Sequence, residues 1–204
     1  MPERERDLRR EDLLGDPVQQ FSAWYGEARD EGVPAPEACA VATASREARP
    51  SARMVLLKSF DERGFVFATS YDSRKARELA ENPRAALLFH WHALGRQVRV
   101  EGAVERVAPT ESDAIFAARP RAARISALAS RQSEPVESRD ELEARVRALE
   151  DELVGREVER PEWWGGYRVL PEAFEFWQHR ANRLHVRFAY LLDGDAWRIV
   201  QLQP

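Results

Sequence analysis

The sequence predicts an α+β chain that is mainly antiparallel β, a barrel carrying peripheral helices. Its elements run helix, strands, helix, strands, helices, strands, without the strict strand–helix alternation of a doubly wound parallel sheet. The strand-like runs are short and joined by hairpin-type turns. With 204 residues, 44% of them apolar, the chain is long enough to bury one good core. A flexible leading segment is expected over 1–15 and a single domain over 16–204.

Asp16-Pro17 reads as an N-cap followed by the first helical residue, and Val18, Phe21, Trp24, Tyr25 and Ala28 then recur at helical spacing. Gly32, Pro34 and Pro36 stop this helix. Strands are expected at 39–43, 53–60 and 64–69, the last two joined by Asp61-Glu62-Arg63-Gly64. A short helix follows, capped by Asp72 or Ser73, with Ala76, Leu79 and Ala80 inward and Asn82-Pro83 as its stop. Strands are expected at 85–91 and 97–107, then short helices at 110–118 and 123–130 around Arg119-Pro120-Arg121. Leu142, Val146, Leu149 and Leu153 mark the apolar stripe of a longer helix over about 138–154. The last strands are expected at 167–170, 173–177, 183–192 and 196–202, with Asp193-Gly194-Asp195 as the final turn.

Charge and composition exclude several function classes. A net charge of −4 offers no overall field for a nucleic-acid backbone or an anionic bilayer, so any anion site is local. No apolar run reaches the roughly 20 residues that cross a membrane, and the first twelve residues lack the apolar core of a secretory signal. No nucleic-acid or membrane partner and a cytoplasmic location are therefore expected. Cys39 is the single cysteine; it excludes an internal disulfide and a cysteine-based zinc site. His90 and His92 have a spacing that suits a metal but lack a completing ligand nearby, so no metal is expected. Neither a Gly-x-Ser-x-Gly elbow nor a glycine-rich phosphate loop is present.

Only two of the 31 basic residues are lysines, Lys58 and Lys75. Base composition accounts for the arginine excess but not for these two compact charges. Ser73-Arg74-Lys75 opens a helix where free N–H groups and the dipole already favour an anion, so two cations there either reach out into water or meet a phosphate, and the presence of one of the only two lysines favours the phosphate. Arg53-Met54-Val55-Leu56-Leu57-Lys58 places one cation at each end of an apolar strand, on opposite faces by parity. Arg183, His185 and Arg187 alternate on an expected strand and would share one cationic face. Trp163-Trp164 and Phe176-Trp177 offer flat surfaces for a ring, although core packing is the commoner use. The residues alone thus describe an antiparallel barrel that binds a phosphorylated, ring-containing ligand through Arg, Lys and His.

Arg53 to Lys58, Ser73-Arg74-Lys75, Gly95-Arg96-Gln97-Val98, Arg119-Pro120-Arg121, Ser130-Arg131-Gln132-Ser133, Trp164-Gly165-Gly166-Tyr167, Glu175-Phe176-Trp177-Gln178 and Arg183-Leu184-His185 with Arg187 occur in this order. Together they resemble the pyridoxamine 5′-phosphate oxidases, from about Asp16 to Pro204. The resemblance implies an FMN-binding split β-barrel and a homodimer with FMN at the subunit interface. It assigns Arg53, Arg74 and Lys75 to the FMN phosphate. Met54, Val55, Leu56, Leu57, Lys58, Ala68, Thr69, Gln97, Gln132, Ser133, Trp177 and Arg187 would line the rest of the cofactor. Lys58 and Arg119 match positions that hold the substrate phosphate; Arg183 and His185 match the catalytic positions around the pyridine ring. The implied reaction oxidises pyridoxamine or pyridoxine 5′-phosphate, a phosphorylated pyridine, to pyridoxal 5′-phosphate, with oxygen as acceptor and hydrogen peroxide as by-product.

Three positions depart from the family pattern. Ile115 and Ala123 stand where a Tyr and a Ser usually complete the substrate-phosphate cluster, which removes two hydroxyl donors unless Arg121 or Arg124 compensates. Arg9-Arg10-Glu11-Asp12 is only a partial counterpart of the leading segment that covers the substrate. These departures motivate two alternatives: a related oxidase of the phenazine-biosynthesis type acting on another ring, or a non-catalytic flavin- or pyridoxal-phosphate-binding protein.

Overall fold

The structure, a computed structural model, describes residues 7–204. Helix α1 (Pro17–Asp30) begins as the sequence predicts: the Asp16 carboxylate accepts from the Gln19 N–H at 2.9 Å, and Pro17 opens the first turn. Eight strands follow: β1 (Ala38–Ala44), β2 (Pro50–Asp61), β3 (Gly64–Ser70), β4 (Arg84–Trp91), β5 (Arg96–Arg106), β6 (Trp164–Gln178), β7 (Val186–Asp193) and β8 (Ala196–Leu202). Helix α2 (Arg74–Glu81) lies between β3 and β4. Helices α3 (Pro109–Ala117), α4 (Arg121–Ala129) and α5 (Arg139–Glu152) fill the connection from β5 to β6.

All pairings are antiparallel, in the order β3-β2-β1-β4-β5-β6-β7-β8, and β3 also pairs with β6. That extra pairing closes six strands into a barrel and leaves β7 and β8 as an extension from its wall. Helix α1 packs its buried face, with Phe21, Trp24 and Ala28, onto the barrel core. Phe21 is fully buried, with ring centroids 4.8 Å from both Phe65 and Phe89 and 4.9 Å from Phe60. Each such ring contributes roughly 1.5–3 kcal/mol by leaving water. Phe116, Ile125, Val158 and Trp164 form a second, smaller core, against which Val146, Leu149 and Leu153 of the α5 stripe pack.

Four sequence expectations change. The strand expected at 53–60 begins at Pro50, where its first residues pair with the far end of β1. The runs at 167–170 and 173–177 are one fifteen-residue strand, β6. Pro171 and Glu172 break the apolar pattern, but a register shift at Glu101/Gly102 absorbs them. Gly102 is required there, because a Cβ would sit 1.7 Å from the Leu170 carbonyl oxygen. In α2, Ala80 is exposed, whereas Lys75 and Glu78 face inward. Finally, the strand expected from Arg183 starts only at Val186, and residues 181–183 form a 3-10 turn.

Among the described residues, no helix is long and apolar enough to cross a membrane. Nor is any group of three or more His, Cys, Asp or Glu side chains placed to hold a metal ion. The His90 and His92 rings are 5.6 Å apart, but His92 has already left β4 for a 3-10 turn.

Candidate active site

Arg53, Arg74 and Lys75 converge at one end of the barrel, where the first turn of α2 meets β1, β2 and the end of β3. Lys75 is buried; its Nζ donates to Thr69 Oγ1 at 2.8 Å and to Gln132 Oε1 at 3.3 Å. Thr69 Oγ1 donates to Gln132 Oε1 at 2.7 Å, and the Arg74 N–H donates to Ser133 Oγ at 3.2 Å. The loop between α4 and α5 is thus tied onto the start of α2, with Ser133 in a left-handed conformation at φ 75°. Arg53 Nη1 donates to Thr43 Oγ1 at 2.6 Å, and Nη2 to Ser51. Burial, with Arg53 adding to it and Glu78 opposing, lowers the Lys75 pKa to about 8. Glu78, one turn along α2, takes Arg74 Nε at 2.9 Å and Arg53 Nη2 at 3.3 Å. Three cations against one carboxylate leave two positive charges, which suits the dianion of a phosphate monoester.

A second group gathers at the opposite end of β6. Register places Gln97, Trp177 and Arg187 side by side across β5, β6 and β7. The His185 ring lies 4.6 Å from Trp177 and 5.2 Å from His179. Its Nδ1 accepts from the Arg180 N–H at 3.1 Å, so the neutral ring carries its proton on Nε2. Partial desolvation, then His179 and Arg183, keep the His185 pKa below the ordinary value. Arg183 does not share a strand face with His185 and Arg187: Asn182 and Arg183 are left-handed, at φ 56° and 65°. Arg183 is exposed at the last position of the 3-10 turn. Arg187 instead makes a bidentate pair with buried Glu175 at 2.8 and 3.0 Å.

Beside the first group, Arg119 lines a cavity of about 470 Å³ together with Ala68, Thr69, Gln132, Trp164 and residues of α4 and α5. Its guanidinium lies 5.0 Å over the Trp164 ring and donates to the Ala123 carbonyl at 2.7 Å. Lys58, on the outer face of β2 with Met54 and Leu56, has its pKa lowered by desolvation first and then by Arg119, with Glu37 opposing. The two cations are therefore within electrostatic reach of each other. Val55 and Leu57 turn to the opposite face and pack with the core. Arg121 and Arg124 face away from Arg119: Arg121 donates to the Leu153 and Arg156 carbonyls, and Arg124 lies toward Val158. Neither replaces the hydroxyls absent at Ile115 and Ala123.

Residues 26–152 match the family profile "Pyridoxamine 5′-phosphate oxidase". The chain belongs to the pyridoxamine 5′-phosphate oxidase family. Residues 164–204 match the "Pyridoxine 5′-phosphate oxidase C-terminal dimerisation region", the stretch that carries Trp177, Arg183, His185 and Arg187. A pyridoxine/pyridoxamine 5′-phosphate oxidase of Rubrobacter xylanophilus is 58% identical over 189 residues, covering 93% of this chain and 87% of that protein. One from Thermosynechococcus vestitus is 52% identical, with 98% and 96% covered. Among solved structures, PhzG from Burkholderia lata in complex with tetrahydrophenazine-1-carboxylic acid superposes with a TM-score of 0.90 at 33% identity, over 100% of this chain and 97% of that one. A pyridoxamine 5′-phosphate oxidase-related, FMN-binding protein from Nostoc punctiforme has a TM-score of 0.72 at 17% identity, covering 93% and 98%, a likeness of fold.

Within this family frame, the sequence reading missed residues that hold the others in place. Glu78 was detectable as the i+4 partner of Arg74. Thr43 and Ser51 carry no local signal, because only strand register brings them to α2. His179 and Arg180 adjoin His185 through the left-handed turn, which alternation could not foresee. The leading segment expected over 1–15 falls partly outside the described residues. From Asp7 on it makes defined contacts: the Leu8 N–H donates to Gln178 Oε1 at 2.8 Å, Asp7 pairs with Arg180, and the Leu14 carbonyl accepts from the Tyr190 hydroxyl at 2.7 Å.

Proposed function

We propose that this chain is an FMN-dependent oxidase converting pyridoxamine or pyridoxine 5′-phosphate to pyridoxal 5′-phosphate, with oxygen as acceptor and hydrogen peroxide as by-product, water supplying the aldehyde oxygen and ammonia leaving when the substrate is the amine. The observation that carries this reading is the retention of two separate cation groups, one for each phosphate, in a member of this family. Arg53, Arg74 and Lys75 fit the FMN phosphate, with Thr69, Gln132 and Ser133 beside it. When bound, FMN supplies the two-electron acceptor that takes hydride from the substrate's C4′ and that oxygen regenerates. Lys58 and Arg119 hold the substrate phosphate; Trp164 and the Ala123 carbonyl keep the Arg119 guanidinium in place. His185, with its proton on Nε2, and Arg183 face the pyridine ring.

The cofactor site is shared between two copies of the chain. Thr69 pairs with Gly165 and Gln97 with Trp177, so the two groups stand twelve residue steps apart on β6, about 40 Å along the strand at about 3.3 Å per residue. That path is longer than one mononucleotide. A two-fold dimer brings the phosphate cradle of one copy to the Gln97–Trp177–Arg187 row of the other. The dimerisation-region match and the exposed Met54 and Leu56 on the outer face of β2 support this arrangement.

The phenazine-type alternative has the structural likeness to PhzG and the Ile115 and Ala123 departures in its favour. Sequence identity favours the vitamin-phosphate reading, at 58% and 52% for the two oxidases against 33% for PhzG. Purified protein is expected to show a flavin spectrum and to release peroxide with pyridoxamine 5′-phosphate. Flavin without turnover would reject the substrate assignment; a protein that takes up no FMN would reject the cofactor.

A further inference from the structure

Among the described residues, Glu78 is the one carboxylate bonded to the cation group at the start of α2, and its side chain is 7% exposed. Oε2 accepts from Thr43 Oγ1 and Ser51 Oγ, both at 2.5 Å, and from Arg53 Nη2 at 3.3 Å. Oε1 accepts from Arg74 Nε at 2.9 Å. A single carboxylate therefore joins β1, β2 and α2, and stands between two guanidinium groups that would otherwise repel each other beside a buried ammonium. Burial alone would raise its pKa, but the donors from Ser51, Thr43, Arg74 and Arg53 outweigh burial and hold it at about 2, so it stays charged.

We propose that Glu78 is the positioning residue of the phosphate cradle, an internal counter-ion that holds Arg53 and Arg74 together at the expense of the cradle's affinity for its phosphate. This rests on reading Arg53, Arg74 and Lys75 as the site of the FMN phosphate. Two anions, the carboxylate and the phosphate, draw on the same two guanidinium groups. The carboxylate is covalently fixed, so it organises the cradle continuously and offsets part of the field that an incoming phosphate meets. Without its charge, three cations would face each other around Lys75. The FMN-free fold would become less stable, and a dianion would be bound more tightly.

The decisive variant is Glu78→Gln, which keeps the shape while the Thr43 and Ser51 hydroxyls turn to accept from the new amide. Melting without FMN, and FMN and riboflavin dissociation constants from flavin fluorescence quenching, are measured at low and high salt. The variant is expected to melt several degrees lower than wild type without FMN. It should bind FMN about three- to ten-fold more tightly, with the gain shrinking as salt screens it. Glu78→Asp, which keeps the charge, should stay close to wild type in FMN affinity. The double variant Arg74→Gln/Glu78→Gln returns the cradle to two net positive charges and should recover the FMN-free melting temperature. Unchanged or weaker FMN binding by Glu78→Gln, with wild type still preferring FMN over riboflavin, would overturn the counter-ion role and leave the phosphate site standing. Equal binding of riboflavin and FMN by wild type would overturn the phosphate site itself. If Glu78→Gln does not fold, the double variant decides: its failure to fold as well would show a structural residue only.

Discussion

The cradle at the start of α2 and the cluster where β6 meets β7 are built on one device with different backbones. In each, a buried glutamate gathers two arginines: Glu78 holds Arg53 and Arg74, and Glu175 holds Arg187 and Arg99. The cradle hangs these groups on regular strand and helix, so a charge motif in the sequence is enough to find it. The β6–β7 cluster presents Arg183 from a left-handed turn and fixes His185 through a backbone N–H, so its chemistry depends on dihedral angles. A phosphate is recognised by charge and count, which tolerates regular scaffolding. Under the proposed function, a ring and one reacting carbon require placement, and the irregular turn is where that placement would come from.

The sharpest way to break this contrast is to remove one cation from each region. Arg183→Ala should lower turnover by about 100-fold or more, the size of losing one preorganised charge-stabilising donor, while flavin content stays near wild type. Lys75→Ala should raise the FMN dissociation constant about ten- to hundred-fold, from the loss of charge-assisted hydrogen bonds, with turnover largely restored at saturating FMN. Matched losses of flavin and turnover in both variants would erase the division between the regions.

Two smaller effects refine it. Arg187→Ala leaves buried Glu175 with Arg99 alone and should cost roughly 1–3 kcal/mol in chemical denaturation, whereas Lys75→Ala removes a cation whose burial is unfavourable and should leave FMN-free stability unchanged or higher. The pH dependence has the same origin. Lys75 titrates at about 8 in the fold against 10.5 when unperturbed, so between those values the unfolded chain holds more protons. FMN-free stability should therefore rise with pH across that window. FMN affinity should fall by a few-fold as pH rises above about 8, and Lys75→Ala should abolish that slope. A wild-type affinity that stays flat to pH 9.5 would remove Lys75 from the phosphate site.

Local signals reached as far as local physics allows. Asp16-Pro17 announces α1 because capping involves only neighbouring residues, and Ser73-Arg74-Lys75 announces the cradle because like charges at a helix start are unfavourable alone. The same logic failed at Arg183 and His185: alternation in the letters assumes an extended backbone, and Asn182 and Arg183 leave that region. It failed at Pro171 as well, where a bulge lets one strand run through a break in the apolar pattern.

By itself the sequence determined the mainly antiparallel β architecture and, through its ordered motifs, the family, and it singled out Arg53, Arg74, Lys75, Lys58 and Arg119, since hydrophobic period, turn chemistry and charge motifs are properties of short stretches. Tertiary structure alone decided that β3 closes onto β6, that Thr43, Ser51 and Glu78 meet around Arg53, and that the Lys75 group and the Trp177–His185 group stand at opposite ends of β6. Those outcomes depend on strand register and on contacts between residues distant in the chain, where the shape of the packed core, rather than any neighbouring residue, selects the partner.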